Sequence, residues 1–201
     1  MLRCAITDGT ASCFVNAAQI DRLQNQVRGW AADGIDLIQL REKNLEAGAL
    51  LVLAEAALLA LHETYSPTKL LINTRADVAI AARAHGVHLT SDPNELTPQQ
   101  VRELFTHAGL PAPVVSISCH TPADIARARH HAADFILFGP VFEKRVDGDL
   151  VTAGAGLEAL ALACAIAQQV PVLALGGITV ENAAECLAAG AAGVAGIRTF
   201  L

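Results

Sequence analysis

A chain of 201 residues is long enough for one domain with a substantial core and too short for two ordinary domains plus a linker, so a single domain spanning 1–201 is expected. The net charge of −6 excludes binding to nucleic acid by broad phosphate neutralisation, which needs clustered Lys and Arg; any anion site must be local. The hydrophobic share is 53% with only 4% aromatic, as expected where small and branched side chains fill closely packed helices and strands.

The chain begins Met1-Leu2-Arg3-Cys4-Ala5-Ile6, without the basic and then apolar layout of a signal peptide. The first short apolar run is Leu2 to Thr7. It is followed by Asp36 to Leu40, Lys69 to Asn73, Gly86 to Thr90, Val114 to Ser118, Asp134 to Gly139, Val172 to Gly176 and Gly193 to Ile197, each bounded by polar residues or Gly. Eight strands are predicted. Between them lie stretches with helical spacing: Ala47 to His62, Ala76 to His85, Thr97 to Ala108, Pro122 to His131, Leu157 to Gln169 and Thr179 to Ala189. Start signals support three of these, with Thr97 before Pro98, Thr121 before Pro122, and Thr179 ahead of Glu181 and Asn182. The longest apolar run, Ala47 to Leu61, is broken by Gly48 and Glu55 and is too short for a bilayer, so no membrane segment is expected.

A β-then-α repeat can form an open sheet or a closed barrel. Eight units with no Gly-x-Gly-x-x-Gly after the first strand favour closure, an α/β single (β/α)₈ TIM barrel. The sequence stops just after the eighth strand. The final helix is therefore expected to be truncated or missing, and a homodimer covering that end is a candidate state. Cys4, Cys13, Cys119, Cys164 and Cys186 are widely spaced with no CxxC pair, which fits reduced thiols in a cytoplasmic protein better than a zinc site.

In a barrel, residues at the C-terminal ends of the strands converge on one mouth. Gly176 and Gly177 follow the seventh strand and Gly196 closes the eighth. Glycines there let backbone N–H groups approach a phosphate, aided by a helix N-terminus; they could also simply make tight turns, but their position favours phosphate. Alternation along Gln39-Leu40-Arg41-Glu42-Lys43 places Gln39, Arg41 and Lys43 on one face, suited to a phosphate or carboxylate. The competing reading is a solvated strand end paired with Glu42 or Asp36. His120, after the fifth strand, is either a general acid/base or a locally bonded residue at a helix start. His88, inside a strand, reads as a satisfied interior group. His130 and His131 read as solvated residues at a helix end.

Taken in order, these elements resemble the thiamine-phosphate synthase superfamily. The resemblance runs from Ala5-Ile6-Thr7-Asp8 through Gln39-Leu40-Arg41-Glu42-Lys43, Leu71-Ile72-Asn73, Gly86-Val87-His88-Leu89, Ser116-Ile117-Ser118-Cys119-His120, Phe138-Gly139-Pro140-Val141-Phe142 and Gly176-Gly177-Ile178 to Gly193-Val194-Ala195-Gly196. It implies the barrel, a cytoplasmic location and a phosphorylated thiazole ligand, with no nucleic-acid or membrane partner. Two activities belong to the superfamily. Synthases join a pyrimidine methyl diphosphate to thiazole phosphate with Mg²⁺, whereas thiazole tautomerases aromatise a carboxythiazole phosphate without metal.

Synthases usually carry Asn-Asp after strand three and Gly-Gln-x-Asp after strand four, where this chain has Asn73-Thr74 and Thr90-Ser91-Asp92-Pro93. After strand six Phe142-Glu143-Lys144-Arg145-Val146 replaces Pro-Thr-x-Thr-Lys and is worded like a tautomerase. Arg41-Glu42-Lys43 remains compatible with a synthase. The leading expectation is a tautomerase in which His120 moves the proton and no cofactor is needed. Arg41 would meet the substrate carboxylate, Asn73 or Ser118 would orient the ring, and Gly176, Gly177 and Gly196 would hold phosphate. A divergent synthase would need Mg²⁺ with Asp92 as the available ligand, which alone makes a poor site. A third reading is a non-catalytic binder of thiazole or thiamine phosphate.

Overall fold

A computed structural model describes residues 1–11, 15–146 and 149–200. Cys13 and Leu201, and with Leu201 any reading of the chain end, lie outside the described residues. All eight expected strands form: β1 (Leu2–Ile6), β2 (Leu37–Leu40), β3 (Lys69–Asn73), β4 (Gly86–Leu89), β5 (Val114–Cys119), β6 (Phe135–Phe138), β9 (Val172–Leu175) and β10 (Gly193–Gly196). They close into one parallel barrel in the order β1-β10-β9-β6-β5-β4-β3-β2.

The strands β7 (Lys144–Val146) and β8 (Asp149–Thr152) form an antiparallel hairpin between β6 and helix α6 (Gly156–Ala167). The apolar runs give no hint of it, because Lys144–Val146 and Asp149–Thr152 are short and mix charged and polar residues with one or two apolar ones. Its exit returns to the end of β6: Ala155 N–H donates to Pro140 O at 2.9 Å, and Gly156 N–H to Val141 O at 2.9 Å.

The other helices are α1 (Ala17–Ala32), α2 (Ala47–Thr64), α3 (Ala76–Ala82), α4 (Pro98–His107), α5 (Pro122–His130) and α7 (Ala183–Ala188). Both Thr-Pro signals mark helix starts. Thr97 and Thr121 each accept from the third backbone N–H, and the side chains of Gln100 and Asp124 reach back to complete capping boxes. Helix α1 is missing from the Ala/Leu-rich stretches because it is rich in Gln, Asn and Arg. It buries Leu23, Val27, Trp30 and Ala31 at i, i+4, i+7 and i+8, a narrow stripe that still docks it on the barrel. By length and hydropathy α2 would suffice to cross a membrane, yet Leu50, Leu53, Ala57 and Leu61 turn one face of it into the core. No helix follows β10 among the described residues. Instead Trp30 donates its indole N–H to Phe200 O at 2.9 Å, and Phe200 packs against the core.

Strand alternation separates two cores. Ala5, Ile38, Leu40, Ile72, Val115 and Ile136 point outward and join the helices. Cys4, Ile6, Leu37, Leu71, Leu137, Leu173 and Ala195 cluster without any helical residue, so they fill the barrel's interior. Burial pushes the Cys4 thiol, with help from the Asp36 charge, up to about 12, which keeps it protonated and inert.

Candidate functional site

The inward positions change character toward the strands' C-terminal ends. Leu37 is followed inward by Gln39, Leu71 by Asn73, and Gly86 by His88, while β5 contributes Ser116 and Ser118. An apolar plug thus carries a polar layer at its mouth.

His88 is buried, with Nδ1 2.8 Å from Ser116 Oγ and Nε2 2.9 Å from Ser118 Oγ, which matches the satisfied interior group expected from sequence. Burial, together with the Arg41 charge, pushes its imidazole down to about 3, so the ring is neutral at ordinary pH. Gln39 is only 2% exposed, and its amide has no hydrogen-bond partner among the described residues. Because no described polar side-chain atom is both fully enclosed and unpartnered, this amide keeps contact with the open mouth.

The one-face argument for Gln39, Arg41 and Lys43 holds only in part, because β2 ends at Leu40. Arg41 N–H donates to Thr7 Oγ1 at 2.9 Å, and its half-buried side chain enters no ion pair among the described residues. Glu42 turns inward and accepts from Ala11 N–H at 3.0 Å, so it braces the loop after β1 rather than pairing with Arg41. Lys43 is exposed on a turn, where strand alternation no longer applies. It nevertheless joins Asn73, Thr74, Arg75 and Thr90 around a cleft of about 330 Å³. Arg75 is occupied by Asp77, through bonds of 2.8 and 2.5 Å.

Asp92 lies in the loop after β4 and is held locally. It is exposed and accepts from Asn94 N–H at 2.8 Å and from the Asn94 amide at 3.2 Å, closing its own turn. Glu95, which the motif comparison passes over, folds back instead, with Oε2 3.4 Å from Thr90 Oγ1. Its only signal was a second carboxylate later in the same loop. No group of three or more His, Cys, Asp or Glu suited to a metal occurs among the described residues.

His120 is fixed on both sides. Its backbone N–H donates to Asp124 Oδ2 at 3.1 Å, and its Nδ1 lies 2.5 Å from Gly139 O. A carbonyl only accepts, so Nδ1 carries the hydrogen and Nε2 of the neutral ring is left with a lone pair. Burial alone would raise the Asp124 carboxyl, but the amides of His120 and Thr121, the Thr121 hydroxyl and the Arg127 charge hold it below the usual carboxylate range. Asp124 thus works twice, as a helix cap and as an anchor for His120. The local-bond reading and the acid/base reading of His120 are therefore compatible.

Two strands round the same mouth, after β9, Gly176 and Gly177 have φ of +95° and +66°. A Cβ on Gly176 would lie 2.6 Å from Pro140 Cβ, and one on Gly177 2.7 Å from Phe142 Cβ. The tight turn alone therefore demands glycine. The same turn leaves the N–H groups of Gly177 and Ile178 without a backbone acceptor among the described residues. Gly196 makes room for Thr199, whose Oγ1 donates to Ile178 O at 3.1 Å and ties this loop to the one after β9. The helix expected from Thr179 begins only at Ala183. Thr179 and Asn182 bond each other in a turn ahead of it, at 2.8 Å (Thr179 N–H to Asn182 Oδ1) and 3.4 Å (Asn182 N–H to Thr179 Oγ1). Any anion held at this rim meets loop amides rather than the first turn of α7.

Residues 4–200 match the family model described as thiamine monophosphate synthase. A thiamine-phosphate synthase of Methanoculleus marisnigri is 38% identical over 173 residues, covering 85% of this chain and 76% of that protein. The thiamine-phosphate synthase of Chlorobium luteolum is 34% identical over 194 residues, covering 96% and 81%. In fold, the chain superposes on thiamine phosphate pyrophosphorylase from Pyrococcus furiosus with a TM-score of 0.74 at 24% identity, covering 98% of this chain and 85% of that one. A match over almost the whole chain, on the barrel whose mouth carries these residues, makes this chain a member of the thiamine monophosphate synthase family.

Proposed function

We propose that this barrel acts in thiamine biosynthesis as a thiazole tautomerase, aromatising a carboxythiazole phosphate by proton transfer at His120. The observation that carries this reading is the tautomer of His120. With Nδ1–H held by Gly139 O at 2.5 Å, Nε2 is the basic atom and has no partner among the described residues. Nε2 takes the proton from the ring carbon bearing the carboxylate. The electron pair moves through the ring to the exocyclic carbon, and Nε2–H returns the proton there. Atoms and charge balance, and one imidazole serves as base and then acid.

Arg41, without an ion pair among the described residues, suits the substrate carboxylate through its planar fork of donors. The Gly177 and Ile178 amides suit the phosphate, with Gly196 allowing the adjoining loop to close on it. Asn73 and Ser118 flank the ring, and Lys43 adds positive charge at the cleft.

A second reading, a thiamine-phosphate synthase, is favoured by the names of the relatives and by the Arg41-Glu42-Lys43 run. It calls for Mg²⁺, which prefers six oxygens in octahedral array. Protein sites usually supply one or two of these, with phosphate and water giving the rest; among the described residues after β4, the candidates Asp92 and Glu95 are engaged with Asn94 and Thr90. No step is assigned to a metal on these residues.

Paired turnover assays separate the readings. Metal-independent conversion of the carboxythiazole phosphate is expected, with a loss on the order of 10²–10⁴-fold in His120→Ala. Formation of thiamine phosphate only when Mg²⁺ is added, with no tautomerisation, would establish the second reading instead.

A further inference from the structure

The mouth holds a second histidine that the proposed proton transfer does not use. A neutral imidazole has one N–H and one lone pair, so of the two serines bonded to His88 one donates to the ring and the other accepts from it. Ser116 decides which. It is 1% exposed, and no other described residue bonds its hydroxyl. If Nδ1 carried the hydrogen, Ser116 would accept it, and the serine's own hydroxyl hydrogen would be buried without an acceptor. Folded proteins avoid that arrangement. If Nδ1 carries the lone pair, Ser116 donates to it and nothing is orphaned.

We infer that the chain runs one way, Ser116 O–H to Nδ1 and Nε2–H to Ser118 Oγ, which commits the Ser118 hydroxyl hydrogen to the mouth as a donor for an acceptor atom of the ligand. Ser118 is half-buried and has no second partner among the described residues, so this donor is unspent. The ligand chemistry this donor suits is a bare ring nitrogen or a carboxylate oxygen. His88 and Ser116 are then positioning residues that act through Ser118. Their effect on rate rests on the proposed proton transfer, because removing the ring proton puts negative charge on the ring nitrogen and carboxylate, where a preset donor stabilises it without reorganising. The direction of the chain does not depend on that reaction.

¹⁵N NMR of histidine-labelled protein at neutral pH tests the direction without turnover, with the resonances lost in His88→Gln identifying His88. A protonated Nε2 and a bare Nδ1 are expected, both free and saturated with thiazole phosphate. A protonated Nδ1 or a doubly protonated ring overturns the inference. Glutamine can still donate to Ser118 through its amide, so His88→Gln is expected to bind thiazole phosphate within about threefold of the parent, whereas His88→Leu and Ser118→Ala weaken it about tenfold. In the turnover assay His88→Leu should lose about 100-fold in kcat with a smaller change in KM, and His88→Gln should recover most of it. Equal losses in the Gln and Leu variants overturn the inference. If His88→Leu does not fold, the tautomer of the parent still decides; if the parent turns over neither substrate, the proposed function falls while the tautomer and the affinities judge this inference separately.

Discussion

His88 and His120 belong to one barrel mouth, yet their surroundings set them to opposite tasks. His88 has both nitrogens bonded and is held neutral, whereas His120 has one nitrogen fixed by a carbonyl and the other open. The low pKa of His88 carries a consequence for stability. The unfolded chain protonates this ring as pH falls below 6.5, while the folded chain resists until about 3. Its folded pKa lies below its unfolded one, so the stabilisation is complete above 6.5 and drains away as pH falls toward 3, at about 1.4 kcal/mol per unit. Urea unfolding at pH 7 and pH 4.5 should therefore show a steeper acid loss for the parent than for His88→Gln; parallel losses would mean that the ring is not held neutral. Asp124 makes a separate prediction. Asp124→Ala removes the acceptor for two backbone N–H groups at the start of α5, which should cost about 1 kcal/mol in thermal unfolding. It also frees the His120 backbone, so kcat should fall while phosphate affinity stays.

At the scale of elements, what could be read from the chain depended on whether an element buries a regular face. The eight barrel strands declare themselves because each is an apolar run between turn residues, and two helices declare themselves through Thr-Pro starts completed by Gln100 and Asp124. Helix α1 escapes because it buries only four residues among Gln, Asn and Arg, and the β7–β8 hairpin escapes because its strands are short and carry no apolar run. Around the mouth, the glycine turn after β9 and the place of His120 after β5 follow from position in the chain. The Glu42 bond to the loop after β1 and the Asp92 bond to Asn94 do not, since both depend on loop backbone after a strand has ended. The glycine loop after β9 is where local geometry and the proposed phosphate site coincide. Gly177→Ala would place a Cβ 2.7 Å from Phe142 at a left-handed φ of +66°, so it should lower both the melting temperature and phosphate affinity. Gly29→Ala is the matched control. Gly29 is helical, and a Cβ there meets nothing within 4 Å, so alanine should stabilise the protein by about 0.5–1 kcal/mol without changing affinity.

Across the whole molecule, the barrel interior divides stability from function along its axis. The lower interior is apolar, with Leu37, Leu71, Leu137 and Leu173 packed together, and Leu71→Ala should cost about 2–5 kcal/mol in denaturant unfolding while leaving ligand affinity intact in the folded fraction. Gln39 begins the upper layer and is its most telling member. The residue is 98% buried, and its side-chain amide, with no partner among the described residues, meets solvent only through the mouth, so it is hydrated less well than in the unfolded chain and the fold carries it at a cost. Gln39→Met keeps the length of the side chain and removes the polar atoms. It should raise the melting temperature by roughly 2–4 °C, equivalent to about 1 kcal/mol for a domain of this size, and weaken thiazole phosphate binding at least about tenfold. A variant that is both less stable and unchanged in affinity would show that the amide has a structural partner after all. The opposite pairing, more stable and weaker in binding, is the result expected of a residue retained for the ligand rather than for the fold.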